Sequence, residues 1–401
     1  MKVRRVCLPV PGFCAAGIHS GIKDKAKDLA LIAADEPANA AAIFTTSTVV
    51  GAPVEISRER IARGRIRGVI VNSGISNVAM GPRGLRDARK MAAMAARELD
   101  CAADEMLVAS TGVIGEPLPM DVLEKGIPRV AGALSASSRG FADAAEAIRT
   151  TDTHAKVSSI RARVGGRNIT IVGMAKGSGM IEPNMATMLS FIVTDASISP
   201  GLLRSMLRRV ADSTYNCLTI DGEGSTSDTV VLMASGRAGG AKLRSGSPPA
   251  KRFEAALLAV CEDLVRQLAR DGEGATHLVT VEVSGARSAA EADRAARRIA
   301  NSLLVKTAIF GGDPNWGRIM QTIGAAGIKW NPEKTRVRVG GVAVFSQGRS
   351  AGTAARKRAE KALRAEEISI QVDLARGRGK ARLFTCDLSY EYVEINAEYT
   401  T

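Results

Sequence analysis

Among the residues of this chain that could do chemistry, Thr187 is the most suggestive. It follows Ala186 and closes the stretch Lys176-Gly177-Ser178-Gly179-Met180-Ile181-Glu182-Pro183-Asn184-Met185-Ala186-Thr187-Met188-Leu189. A threonine hydroxyl is a poor nucleophile alone and becomes useful when a base, often its own freed α-amine, lies beside it. Gly177, Ser178 and Gly179 are small enough to let backbone N–H groups face a ligand. Lys176 can anchor a carboxylate as a flexible point charge. The lysine precedes the glycines, which is not the order of a phosphate loop, and the third glycine of a dinucleotide fingerprint is absent.

Other constellations carry two readings each. Ser110-Thr111-Gly112 follows a strand-like run. It could form an oxyanion hole from the Thr111 hydroxyl and the Gly112 N–H, but a plain turn is the simpler reading of the residues alone. Thr150-Thr151-Asp152-Thr153-His154 offers hydroxyls to a substrate or, more simply, caps and turns the chain. Gly311 to Arg318 reads as a turn with a packed Trp316 or as a substrate-facing loop, and the residues do not separate the two. Asp-Gly-Glu-Gly occurs at Asp221–Gly224 and Asp271–Gly274, as two turns that place an acid and backbone amides rather than as a duplication. His19, His154 and His277 are not at metal-ligand spacing, so no metal site is expected. Glu394 to Thr401 could fray, or Asn396 and Thr401 could supply donors to a site.

The elements that must position these residues alternate between strand and helix. Strand runs are expected at 29–33, 41–45, 68–71, 106–109, 157–164, 169–175, 189–194, 229–234, 277–283, 336–339, 368–373 and 381–386. Asn72-Ser73-Gly74 reads as a turn. Helices are expected at 85–99, 121–134, 141–150, 202–211, 248–270 and 351–364, and from a capping box at Ser288-Ala289-Ala290-Glu291 to about Leu304. Gly165-Gly166-Arg167-Asn168 signals a hairpin. The fold class is α/β, or α+β in layers, with stacked sheets and helices.

A chain of 401 residues with 45% hydrophobic and 3% aromatic residues can bury a large core of Ala, Val, Leu and Ile. The net charge of +14 is spread over scattered basic stretches without interleaved aromatics. That pattern favours solvated basic faces and attraction of anionic substrates over nucleic-acid binding. The six cysteines form no C-x-x-C pair and read as reduced thiols. No apolar run suits a signal peptide or a membrane span, so a cytoplasmic enzyme is expected.

Taken in order, Lys176 to Leu189, Gly312-Asp313-Pro314-Asn315-Trp316-Gly317-Arg318 and Asp271-Gly272-Glu273-Gly274-Ala275-Thr276 resemble the ArgJ family. These are the glutamate N-acetyltransferases, also called ornithine acetyltransferases, of arginine biosynthesis. The resemblance runs from Gly12 through Gly21-Ile22-Lys23 to Thr401. It implies a precursor that cuts itself between Ala186 and Thr187, giving an α chain of residues 1–186 and a β chain of residues 187–401. The Thr187 hydroxyl would attack the Ala186 carbonyl, the acyl group would shift from nitrogen to oxygen, and water would release the ester. The freed α-amine, with an ordinary pKa of about 7.7–8.0, suits a general base near neutrality.

The resemblance further implies that Thr187 takes acetyl from N-acetylornithine and that glutamate removes it, a ping-pong reaction. It casts Thr111 and Gly112 as the oxyanion hole, and Thr153, Lys176, Thr187, Glu273, Asn396 and Thr401 as the substrate-binding set. Lys176 would suit the substrate carboxylate and Glu273 the side-chain ammonium of ornithine. No cofactor is expected. Acetyl-CoA is a candidate second donor, although no coenzyme A signature is legible. The family suggests two α and two β chains, with no nucleic-acid or membrane partner. Departures from the usual pattern occur at Asn72 to Gly81, at Asp221 to Gly224 and at His277, away from the proposed nucleophile. Two other readings stand beside this one: a self-processing amidohydrolase or aminopeptidase with the same threonine, and a non-catalytic basic protein that binds nucleic acid.

Overall fold

Along three runs of the first half, apolar residues alternate between two destinations. Leu29, Leu31, Ile70, Met106 and Val108 join one buried cluster, while Ala30, Ile32, Val69, Val71, Leu107 and Ala109 join another. A strand that is apolar at every position, with successive side chains on opposite faces, must be covered on both. The computed structural model shows this cover; it describes residues 2–182 and 188–398, so Ala186, Thr187 and Thr401 lie outside the described residues.

The chain forms two compact units. The first holds residues 2–216 and 224–268 among those described. It begins with β1 (Phe13–Ile18), β2 (Leu29–Phe44), α1 (Ala52–Arg60), β3 (Arg65–Ile75), α2 (Gly81–Glu98) and β4 (Met106–Val113). Next come α3 (Met120–Gly132), α4 (Ser138–Ala147), β5 (Lys156–Val164), β6 (Arg167–Lys176) and β7 (Leu189–Thr194). It ends with α5 (Pro200–Ser213), β8 (Thr229–Ala234) and α6 (Pro248–Arg270). One sheet runs β4-β3-β2-β8-β7-β6-β5, with β1 also paired to β2. β3 with β4 and β7 with β8 are parallel, and the other pairings are antiparallel. Met91, Ala92 and Ala95 of α2, with Leu123, Ile127 and Val130 of α3, cover one face. Phe141, Ala144 and Ala145 of α4 pack in the cluster on the other. Each such fully buried leucine, isoleucine or phenylalanine contributes about 1.5–3 kcal/mol.

The second unit holds residues 217–223 and 269–398 among those described. Its elements are β9 (Leu278–Ala286), α7 (Ala289–Ala300), α8 (Leu303–Phe310), α9 (Trp316–Gly324), β10 (Arg336–Val339), β11 (Val342–Ser346), β12 (Arg349–Ser350), α10 (Thr353–Ala362), β13 (Glu367–Asp373), β14 (Gly379–Cys386) and α11 (Tyr390–Glu398). Its sheet order is β12-β11-β10-β13-β9-β14, and α7 and α9 share a core with it through Ala295, Ile299, Ile319 and Ile323.

Several expectations change. The runs at 29–33 and 41–45 are one strand, β2, whose register against β3 shifts between Ala33 and Ala38. Beyond the shift the same strand pairs with β8. Asn72-Ser73-Gly74 and Ser110-Thr111-Gly112 are not turns, because β3 and β4 stay paired through Ser73 opposite Thr111 and Gly74 opposite Gly112. The helix expected from Ser288 to Leu304 ends at Ala300, and Ser302 caps a new helix by accepting from Val305 N–H. The capping box is half formed: the Ser288 hydroxyl accepts from Glu291 N–H, while the Glu291 carboxylate turns to Arg287. Trp316 follows the cap Asn315 and stacks on Phe345 at 4.8 Å, as the packed-turn reading has it. Among the described residues no helix is long and apolar enough to cross a membrane.

Candidate active site

In the first unit, Thr111 and Lys176 meet at the ends of β4 and β6. Lys176 Nζ donates to Thr111 Oγ1 at 3.3 Å. The hydroxyl, with its oxygen engaged by the ammonium, keeps its own proton for another acceptor. Gly112, next in β4, takes φ +125°, and an added Cβ would lie 2.2 Å from the Gly74 carbonyl carbon. Only glycine fits that close approach of two backbones. Ser110 Oγ donates to Asn72 Oδ1 at 2.6 Å, and Asn72 Nδ2 donates to the Ile75 carbonyl at 2.8 Å, tying the two strand ends together.

Asp152 organises the ground beneath Lys176. Its Oδ1 accepts from Lys156 Nζ and from Gly177 N–H, both at 2.6 Å, and Oδ2 accepts from Thr150 N–H at 3.0 Å. Burial pushes this carboxyl up, but the charges of Lys156 and Lys176 and the Gly177 amide outweigh it and hold Asp152 far below the usual carboxylate range. Gly177 takes φ +146°, where an added Cβ would be strained and would stand 2.9 Å from Ile181 Cδ1 and 3.3 Å from Met188 Cβ. Thr151 and Ser178 hydroxyls bond at 2.7 Å. Thr153 is exposed, with its hydroxyl 3.0 Å from His154 Nδ1.

A second lysine stands near. Asp28 accepts backbone N–H groups of Ser20, Gly21, Ile22 and Lys23 at 2.6–3.1 Å, which shapes the turn carrying Lys23. Burial would raise Asp28, but these hydrogen bonds, led by that of Lys23 N–H, hold it below the usual range. Lys23 Nζ donates to the carbonyls of Arg149 at 2.6 Å and Lys27 at 3.2 Å. Burial first, and the Lys176 charge after it, push the Lys23 ammonium down to about 8 against the pull of Asp28.

In the second unit, Glu273 and Asn396 come together: Asn396 Nδ2 donates to Glu273 Oε2 at 2.8 Å and to the Tyr392 carbonyl at 2.9 Å. Glu273 is only 8% exposed. Tyr392 OH donates to Asp221 Oδ2 at 3.4 Å. Burial, then the negative charges of Asp221, Glu273 and Glu223, push the Tyr392 phenol up. This end of the unit is an acidic cluster, the environment a cationic group would seek.

Of the residues singled out from sequence, Thr111, Gly112, Thr153 and Lys176 belong to the first unit and Glu273 and Asn396 to the second. Ala186, Thr187 and Thr401 lie outside the described residues. Asp28 and Lys156 were missed by the sequence reading, and Asp152 was read there only as a possible cap. Only Lys23, in the Gly21-Ile22-Lys23 block, carried a sequence signal.

These features place the chain among mixed α/β enzymes whose polar groups gather at strand ends. The sequence profile of the ArgJ family matches residues 14–401. The arginine biosynthesis bifunctional protein ArgJ of Geobacter sulfurreducens is 45% identical over 393 residues, 98% of this chain and 100% of that one. Its counterpart in Synechococcus sp. is 46% identical over 400 residues, covering 97% of this chain and 96% of its own. A crystal structure of ornithine acetyltransferase complexed with ornithine, from Mycobacterium tuberculosis, is 38% identical over 46% of this chain and 100% of that one, with a TM-score of 0.43. The chain belongs to the ArgJ family.

Proposed function

We propose that this enzyme of arginine biosynthesis moves the acetyl group of N2-acetyl-L-ornithine to L-glutamate through an ester on Thr187, after cutting its own chain between Ala186 and Thr187. Family membership over nearly the whole chain supports the reaction. The single geometric observation that carries the site is the meeting of Lys176 Nζ and Thr111 Oγ1 beside Gly112.

In the forward half-reaction the freed α-amine of Thr187 takes the proton of its hydroxyl, and Oγ attacks the acetyl carbonyl carbon. The Thr111 O–H and Gly112 N–H donate to the oxyanion that forms, a contribution worth about 3–4 kcal/mol per donor in comparable sites. Collapse breaks the amide C–N bond, and the departing amine of ornithine receives the proton held by the α-amine. Glutamate's amine then attacks the ester and carries the acetyl away, restoring the hydroxyl. Lys176, turned toward Thr111, also faces the substrate carboxylate, and the acidic cluster around Glu273 receives the ornithine ammonium. Thr153, Asn396 and Thr401 complete the substrate contacts. No cofactor enters this cycle, and acetyl-CoA would serve as a second donor by acylating the same Thr187. The mature protein is proposed as two α chains (1–186) and two β chains (187–401).

Denaturing mass measurement of wild type and Thr187→Ala tests the reading. Two fragments from the first and one intact chain from the second are expected; an intact wild type would sink it. Loss of acetyl from N-acetylornithine without appearance of N-acetylglutamate would point instead to the hydrolase.

A further inference from the structure

Asp228 sits immediately before β8 and is 2% exposed. β7 and β8 pair in parallel with Leu189 opposite Thr229, so Asp228 falls level with Met188, the residue that follows Thr187. Thr229 N–H donates to the Met188 carbonyl at 3.0 Å, and Met188 N–H donates to the Asp228 carboxyl. Met188 is thus gripped by its amide and by its carbonyl. Its side chain is buried as well, against Gly177, where a Cβ would come within 3.3 Å of it.

We infer that Asp228 is a positioning residue: its carboxyl fixes the Met188 amide and, through that peptide, the placement of Thr187. The inference rests on reading Thr187 as the nucleophile. Several groups converge on the Asp228 carboxyl. The Thr45 hydroxyl donates its single proton to the Ser225 carbonyl at 2.8 Å. The Thr45 side chain also bonds the Asp228 carboxyl, a contact that favours its ionised form. The carboxyl likewise accepts from Met188 N–H and bonds the Ser225 side chain. Burial outweighs these bonds and the Lys176 charge nearby and raises the group well above the usual carboxylate range. An asparagine, neutral and of the same shape, keeps an acceptor oxygen for the Met188 amide.

The test compares Asp228→Asn with Asp228→Ala, using the rate of self-cleavage and the steady-state kinetics of the full chain. The Asn variant is expected to cut and turn over within a few-fold of wild type. The Ala variant leaves a buried amide unpaired, and is expected to cut about tenfold or more slowly, with kcat falling and KM for N-acetylornithine little changed. In a Thr187→Ala background, where no cutting intervenes, Met188 amide exchange should rise in Asp228→Ala and stay protected in Asp228→Asn. If the Ala variant does not fold, Asp228→Glu, which displaces the acid by one methylene, takes its place with the same slow cutting expected. Wild-type rates in the Ala (or Glu) variant overturn the inference, as does an Asn variant as slow as Ala, which would show that the acid's own proton is consumed. A wild type that never cuts at Thr187 would instead fail the underlying reading.

Discussion

Gly112 has two separate reasons to lack a side chain, its φ of +125° and the Gly74 backbone 2.2 Å from where a Cβ would stand. The backbone strain alone costs roughly 1–3 kcal/mol, and relief of the clash must part β3 from β4. Gly112→Ala should therefore lower thermal stability and depress kcat by more than it raises KM; a variant with wild-type kcat would remove Gly112 from the oxyanion role. At this scale the sequence showed its site only as a set. Thr111, Gly112 and Lys176, each ordinary alone, became meaningful in the order of the family's blocks. Asp152 and Asp228 stayed hidden because an aspartate beside threonine or serine in a connecting segment looks like a cap, and Asp28 because, between Lys27 and Leu29, it looks like one more solvated charge. Their partners, Gly177 N–H for Asp152 and the Met188 amide for Asp228, are distant in sequence and are supplied only by folding.

Among the elements, α11 is the least expected. The sequence predicts that the C-terminal residues return to a site, and the structure places Asn396 on Glu273 through a helix that was not foreseen. None of the described side chains of this helix is buried, so it lacks the apolar stripe by which helices are read. α9 was hidden by the Asp-Pro-Asn turn that starts it. By contrast the bounds of β7, β8, α6 and β10 follow the expected runs, since their apolar character or flanking prolines declare them. Deleting residues 396–401 removes the amide held by Glu273. A raised KM for N-acetylornithine with self-cleavage intact is expected, and unchanged kinetics would show that α11 serves no substrate.

For the whole molecule, the buried acids set opposing pH limits. Asp28 and Asp152 are held below their unfolded values near 3.9. Their contribution to stability is present above that pH and is lost as pH falls through the lower folded values. Asp228 is shifted upward, so its contribution is present below about 3.9 and is lost as pH rises toward its folded value. The stability of Asp228→Asn in denaturation should accordingly gain on that of wild type as pH climbs from 5 to 8, and a pH-independent difference would contradict a neutral Asp228. Under the proposed cut after Ala186, the order β4-β3-β2-β8-β7-β6-β5 would have a further consequence. β7 and β8 then belong to one fragment, and β2 and β6, on either side of them, to the other. The younger end of the protein is a wedge of two wholly buried strands, held in a slot that the older end alone cannot fill. Scission there would release a terminus without releasing a partner. Fragments made as separate polypeptides would have to insert that wedge between β2 and β6, so an intact precursor would serve as the assembly jig for its own two halves.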